Sequence, residues 1–214
     1  MLSVITDFGC DRGCGYCIYD HIMPSRLPPP EDYYERLELA VRNIPGNVFS
    51  ISGGGDPLYA FEEHMRFWLF VIHLCQKYDK RIDIHTSYPR RMIEVHQQLQ
   101  PILNKPVIHC FPSTWNEDKQ HILALRTLEP TMRINFVIDH QLGTVATDVE
   151  EFCGLHKIPF SYRQLVGANL QPVDDDEFFT SVRSRSPLGR YIEQDDYNVY
   201  LSPQGELKLR YMEI

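Results

Sequence analysis

The sequence predicts an α/β fold, in the form of a partial (β/α)6 TIM-like barrel with a C-terminal β-hairpin extension. Three observations lead to it. Short β-branched runs alternate with longer amphipathic stretches six times, which implies parallel strands joined by crossover helices. A closed eight-unit barrel takes about 250 residues, more than the 214 present. Two further β-rich runs near the end flank Ser202-Pro-Gln-Gly205, a turn sequence, and give the hairpin.

The elements follow in order. Leu2 to Phe8 reads as the first strand, with Val4 and Ile5 at its centre. After a loop that ends at Pro28 to Pro30, Glu31 to Ile44 carries Leu37, Val41 and Ile44 at helical spacing, and Pro45-Gly46 stops it. Asn47 to Ser52 is the second strand, followed at once by Gly53, Gly54 and Gly55. Helices are expected over Glu62 to Tyr78, Arg90 to Leu99, Glu117 to Leu128 and Val145 to His156. Strands are expected over Ile82 to Thr86, Val107 to Phe111, Met132 to Ile138 and Phe160 to Val166. A short helix near Asp174 to Arg183 precedes the hairpin strands Tyr197 to Leu201 and Glu206 to Tyr211. With no linker or low-complexity segment, residues 1 to 214 read as one domain, its core about 2 to 167 and its extension about 168 to 214.

Composition excludes several classes. Hydrophobic residues at 43% and charged residues at 23% are too apolar a mixture for a disordered chain. The longest apolar run, Phe67 to Cys75, includes His73 and falls short of a bilayer span, so no membrane partner is expected. A net charge of −8 argues against nucleic acid as an undirected electrostatic partner. Met1 to Phe8 lacks a basic leader region and a long apolar stretch, which points to a cytoplasmic location.

Of six cysteines, Cys10, Cys14 and Cys17 fall together in Cys10-Asp-Arg-Gly-Cys14-Gly-Tyr-Cys17, directly after the first strand. In a reducing compartment such a cluster more often means metal than disulfide. Loops that leave the carboxyl ends of barrel strands build the active site. A structural zinc wants four ligands, and a structural cubane takes four thiolates, so three thiolates leave one corner open. A zinc knuckle completed by His21 is the rival reading. The standard dinucleotide, P-loop and zincin motifs are absent. Cys75, Cys110 and Cys153 read as core residues, as do Phe67, Trp68, Phe70 and Leu74, and Asp174 to Glu177 as a solvated helix start.

The CxxxCxxC spacing, with Tyr16 before its last cysteine, resembles the signature of the radical S-adenosylmethionine superfamily. Ile51-Ser-Gly-Gly-Gly-Asp-Pro-Leu58 stands where that family carries a Gly-Gly-Glu-Pro segment, here with Asp56 in place of the usual Glu. The resemblance covers about residues 2 to 167. It implies that Cys10, Cys14 and Cys17 bind three irons of a 4Fe-4S cluster whose fourth iron chelates S-adenosylmethionine. One electron from an external flavodoxin- or ferredoxin-like reductant then cleaves the sulfonium to methionine and a 5′-deoxyadenosyl radical, which takes hydrogen from a substrate. Tyr16 would lie near the adenine, Gly53, Gly54, Gly55 and Asp56 near the amino group, and Thr86 and Ser87 near the ribose, although the usual Thr-Asn-Gly is absent.

Strand alternation adds Arg133 and Asn135 on the fifth strand and Ser161 and Arg163 on the sixth. Asn135 is a candidate cofactor contact, and Arg163 a contact to the cofactor carboxylate or to substrate; His85, His109 and Gln164 are candidate substrate contacts. The compact single-cluster build is similar to glycyl-radical activases and to the synthase of 7-carboxy-7-deazaguanine. The expected substrate is a peptide or protein side chain, or else a nucleotide-derived small molecule. Alternatives from other classes are a catalytically silent iron-sulfur relative, which Asp56 and the missing Asn favour, and a zinc-stabilised interaction domain.

Overall fold

The computed structural model describes residues 1–12, 29–138, 145–164, 189–192 and 199–210. Strands β1 (Leu2–Ile5), β2 (Val48–Ser52), β3 (Arg81–Thr86), β4 (Leu103–Cys110), β5 (Arg133–Ile138) and β6 (Phe160–Gln164) are neighbours in sequence and in space, each pair parallel. Between them run α1 (Tyr33–Asn43), α2 (Met65–Tyr78), α3 (Pro89–Leu99), α4 (Trp115–Leu128) and α5 (Ala146–His156). The order of these six strands never reverses, so right-handed crossovers put all five helices on one face of the sheet. The fold is α/β with a mostly parallel sheet. Among the described residues no helix is long and apolar enough to cross a membrane.

Register gives the sheet two unlike faces. Val4, Ile51, Ile84, Ile108, Ile134 and Tyr162 alternate onto one side and are buried beneath the helices, which contribute Leu37, Trp68, Val95, Trp115, Ile122 and Val149. Continuous burial against helices accounts for the β-branched content of these strands. The opposite side carries Ser3, Ser50, Asp83, His85, His109, Arg133, Asn135 and Ser161. Four of these strand residues, Ser3, Ser50, Asn135 and Ser161, are polar, uncharged and buried.

Four details differ from the sequence expectation. β1 stops at Ile5 rather than Phe8, because Phe8 leaves the sheet to stack on His64 and meet the edge of Phe67. β4 starts at Leu103 rather than Val107. Pro106 breaks the run to the eye, since it brings no ladder donor, yet it sits inside the strand opposite Ile84. The register shifts between Ile82 and Asp83, so that Asn104 is the extra residue on β4, and its side chain donates to Asp83 at 2.6 Å.

The remaining two details concern the end of the chain. β7 (Gly189–Ile192), too short to show a period, adds parallel to β6. β8 (Val199–Leu201) and β9 (Leu207–Lys208) form the expected hairpin around Ser202 to Gly205, and the difference is that β8 adds parallel to β1, so both flanks of the six-strand run carry a later strand. The short helix expected near Asp174 to Arg183 lies outside the described residues.

Candidate functional site

The carboxyl ends of β1 and β2 run together past the sheet. Thr6 N–H donates to the Ser52 carbonyl at 3.1 Å, Gly9 and Gly55 form a parallel bridge, and Asp56 N–H donates to the Gly9 carbonyl at 2.8 Å. Two of the three glycines are needed for this approach. Gly54 has φ +30° and a Cβ there would stand 1.9 Å from the Thr6 carbonyl oxygen; Gly55 has φ +85° and its Cβ would stand 2.3 Å from the Gly9 carbonyl oxygen. The space that the glycines open is therefore occupied by the chain's own backbone at these positions, and the result is to set Cys10 beside Asp56.

Asp56 is buried, and four protein donors converge on it. One carboxylate oxygen accepts from Leu58 N–H at 3.0 Å and from the Thr86 hydroxyl at 2.8 Å. The other accepts from Ser87 N–H at 2.6 Å and from the Ser87 hydroxyl at 3.0 Å. Burial is the largest influence on its carboxyl and raises its pKa, while the four donors pull it back down. Asp56, Thr86 and Ser87, three of the residues expected around the cofactor, are thus one hydrogen-bonded unit that ties the exit of β2 to the exit of β3. A shorter acid than Glu suits this task, since it reaches the next strand without overshooting.

Cys10 is the one cysteine of the clustered trio within the described residues; Cys14, Cys17, Tyr16 and the rival ligand His21 lie outside them. Its thiol is half-buried and free of any disulfide, whereas Cys75, Cys110 and Cys153 are buried in the core, as expected for them. Burial pushes the Cys10 thiol pKa up, against the hydrogen bonds from Tyr88 and Arg12. No group of three metal-ligating side chains occurs among the described residues.

Tyr88, at the start of α3, is a site residue that the sequence pattern does not reveal. Its hydroxyl lies 3.3 Å from Cys10 Sγ, accepts Asp11 N–H at 3.2 Å and donates to the Asp11 carboxylate. Arg12 completes the brace. Its guanidinium stands 4.7 Å above the Tyr88 ring, donates to the Ser87 carbonyl and pairs with Asp118 of α4 at 3.3 Å. Nothing in local periodicity announces contacts across 77 and 106 residues. The one available signal is position, since Tyr88 directly follows Thr86-Ser87 at a strand exit.

The polar face of the sheet holds the other candidates. His85 Nδ1 and His109 Nε2 are 3.1 Å apart, so one imidazole carries the proton that the other accepts. Asn135 Oδ1 accepts from the Ser161 hydroxyl at 2.7 Å, and Ser161 in turn accepts from Arg133 at 2.8 Å. Asn135 therefore has a protein partner that the sequence reading does not anticipate. Arg163 and Gln164 stand on β6 opposite Val137 and Ile138 by backbone register. No protein-family model matches the chain, and no curated protein matches it.

Proposed function

We propose that this chain is a radical S-adenosylmethionine enzyme, with Cys10, Cys14 and Cys17 as ligands of a 4Fe-4S cluster. The observation that carries the reading is the adjacency of two sequence motifs. The exit of β1, which leads into the three-cysteine loop, is bonded backbone to backbone to the glycine loop that leaves β2. The donor set fits: a half-buried, unpaired thiol at the carboxyl edge of a parallel sheet is a better ligand than the three core thiols. We read the sheet as a partial barrel with its polar face inward, which the unreversed strand order favours.

When bound, cluster and cofactor supply a carbon radical by one-electron cleavage of a sulfonium. The chain's own residues do the rest. Gly9 and Gly55 hold the two loops at a fixed spacing, and Asp56 fixes the exit of β3 against them. The His85–His109 pair and the Asn135–Ser161 pair offer fixed donors and acceptors on the polar face, where substrate would be oriented and water excluded. A peptide or protein side chain is the preferred substrate class, a nucleotide-derived small molecule the second. The electron comes from an external flavodoxin- or ferredoxin-like reductant in a reducing, cytoplasmic setting.

Asp56 favours one other reading, a silent iron-sulfur relative, because its four acceptor positions are filled by protein donors. Anaerobic reconstitution with iron and sulfide, followed by reduction in the presence of S-adenosylmethionine, separates the two. The enzyme gives a brown protein and releases 5′-deoxyadenosine, and Cys14→Ala abolishes both. A brown protein that releases none is the silent relative. A colourless preparation that holds zinc overturns the cluster itself.

A further inference from the structure

We propose that the Tyr88 hydroxyl is a positioning group for Cys10 that sets the reduction potential of the cluster held there, and that Asp11 competes with Cys10 for its proton. The inference rests on Cys10 as a cluster ligand, and goes beyond it by naming what controls that ligand.

A phenol has a single proton. Here its oxygen has three neighbours: Cys10 Sγ at 3.3 Å, Asp11 N–H at 3.2 Å, and the Asp11 carboxylate, to which it donates. While Cys10 is a thiol, every group is satisfied, because S–H donates to the tyrosine oxygen and tyrosine donates to Asp11. A metal-bound Cys10 has lost its proton and can only accept. One hydroxyl then faces two anionic acceptors, the sulfur and the carboxylate.

The tyrosine is held close to both. Tyr88 N–H donates to Thr86 Oγ1 at 3.1 Å, Thr86 is tied to Asp56, and Arg12 covers the ring from Ser87 and Asp118. A hydrogen bond to a ligand sulfur stabilises the reduced, more negative cluster and raises its potential. The share of the hydroxyl that Asp11 takes is lost to the sulfur, so Asp11 lowers the potential through Tyr88 as well as through its charge.

The test is an EPR-monitored redox titration of the reconstituted full-length protein, a readout independent of turnover. Tyr88→Phe is expected to keep the iron and sulfide content of the unaltered protein and to shift the midpoint to a more negative value. Asp11→Asn shifts it to a more positive value, and that shift shrinks in the Tyr88→Phe background because the shared hydroxyl is gone. Equal midpoints for Tyr88→Phe and the unaltered protein overturn the inference, and so does an Asp11→Asn shift of the same size in both backgrounds. Should Tyr88→Phe fail to take up iron, 3-fluorotyrosine at position 88 serves instead. It keeps the shape, is a stronger donor and raises the midpoint; an unmoved midpoint overturns the inference. Unaltered protein that takes up no iron refutes the ligand reading instead.

Discussion

Gly46 and Gly54 both have positive φ, at +100° and +30°, but only Gly54 is crowded. A Cβ on Gly46 meets nothing within 4 Å, so Gly46→Ala carries only the conformational penalty, about 1 kcal/mol. Gly54→Ala drives a methyl into the Thr6 carbonyl and must part the exits of β1 and β2, at a cost of about 3 kcal/mol or more. Chemical denaturation of the two variants should show this gap, and equal losses would mean that the two exits are not locked together. The glycine run is legible in the sequence as a place of close approach. What approaches is not, because Thr6 and Gly9 come from the exit of a strand more than forty residues away. The same holds for Asp56: its charge can be read from the sequence, but its four donors, from Leu58, Thr86 and Ser87, depend on how two strand exits meet.

At the scale of elements, β5 and β6 are joined on the polar face by one serine. Ser161 donates to Asn135 and accepts from Arg133, with no exposure of its own. Ser161→Ala leaves a buried amide oxygen short of a donor, and should cost about 1 to 2 kcal/mol in unfolding free energy. Loss of much less would show that water or a neighbour replaces the hydroxyl. The alternation of polar residues on these strands is visible in the sequence, because side chains two apart share a face. Their mutual pairing is not, since it needs the register that sets Asn135 opposite Ser161. Helices are the most legible part, α3 and α4 above all, because apolar spacing and proline boundaries mark them. β4 is legible only from Val107, as Pro106 and the bulge at Asn104 interrupt its pattern, and the four residues of β7 carry no pattern at all.

Over the whole molecule, the cysteines divide by environment. Burial pushes the Cys75 and Cys153 thiols up to about 12, and Cys110 well above its ordinary range. A thiol at about 12 is ionised about a thousandfold less near neutrality than an ordinary one. Mass-mapped alkylation of native protein at about pH 8 should therefore leave these three unlabelled, and unfolding should make them reactive. Rapid native labelling of Cys75 would mean that α2 is not packed as described. The linkage has a definite sign: a raised folded pKa gives stability that is present below the ordinary thiol value and is lost as pH climbs through about 12.

β1 lies between β2 and β8, and its partner on the outer side begins at Val199. During translation, the strand that leads into Cys10 emerges before its inner neighbour β2, which follows about fifty residues later. The outer neighbour arrives only after the five described helices have been made. Between the emergence of β2 and that of β8 the nascent chain thus carries the strand that leads into Cys10 with one flank open, and that flank closes only as the last described strands emerge.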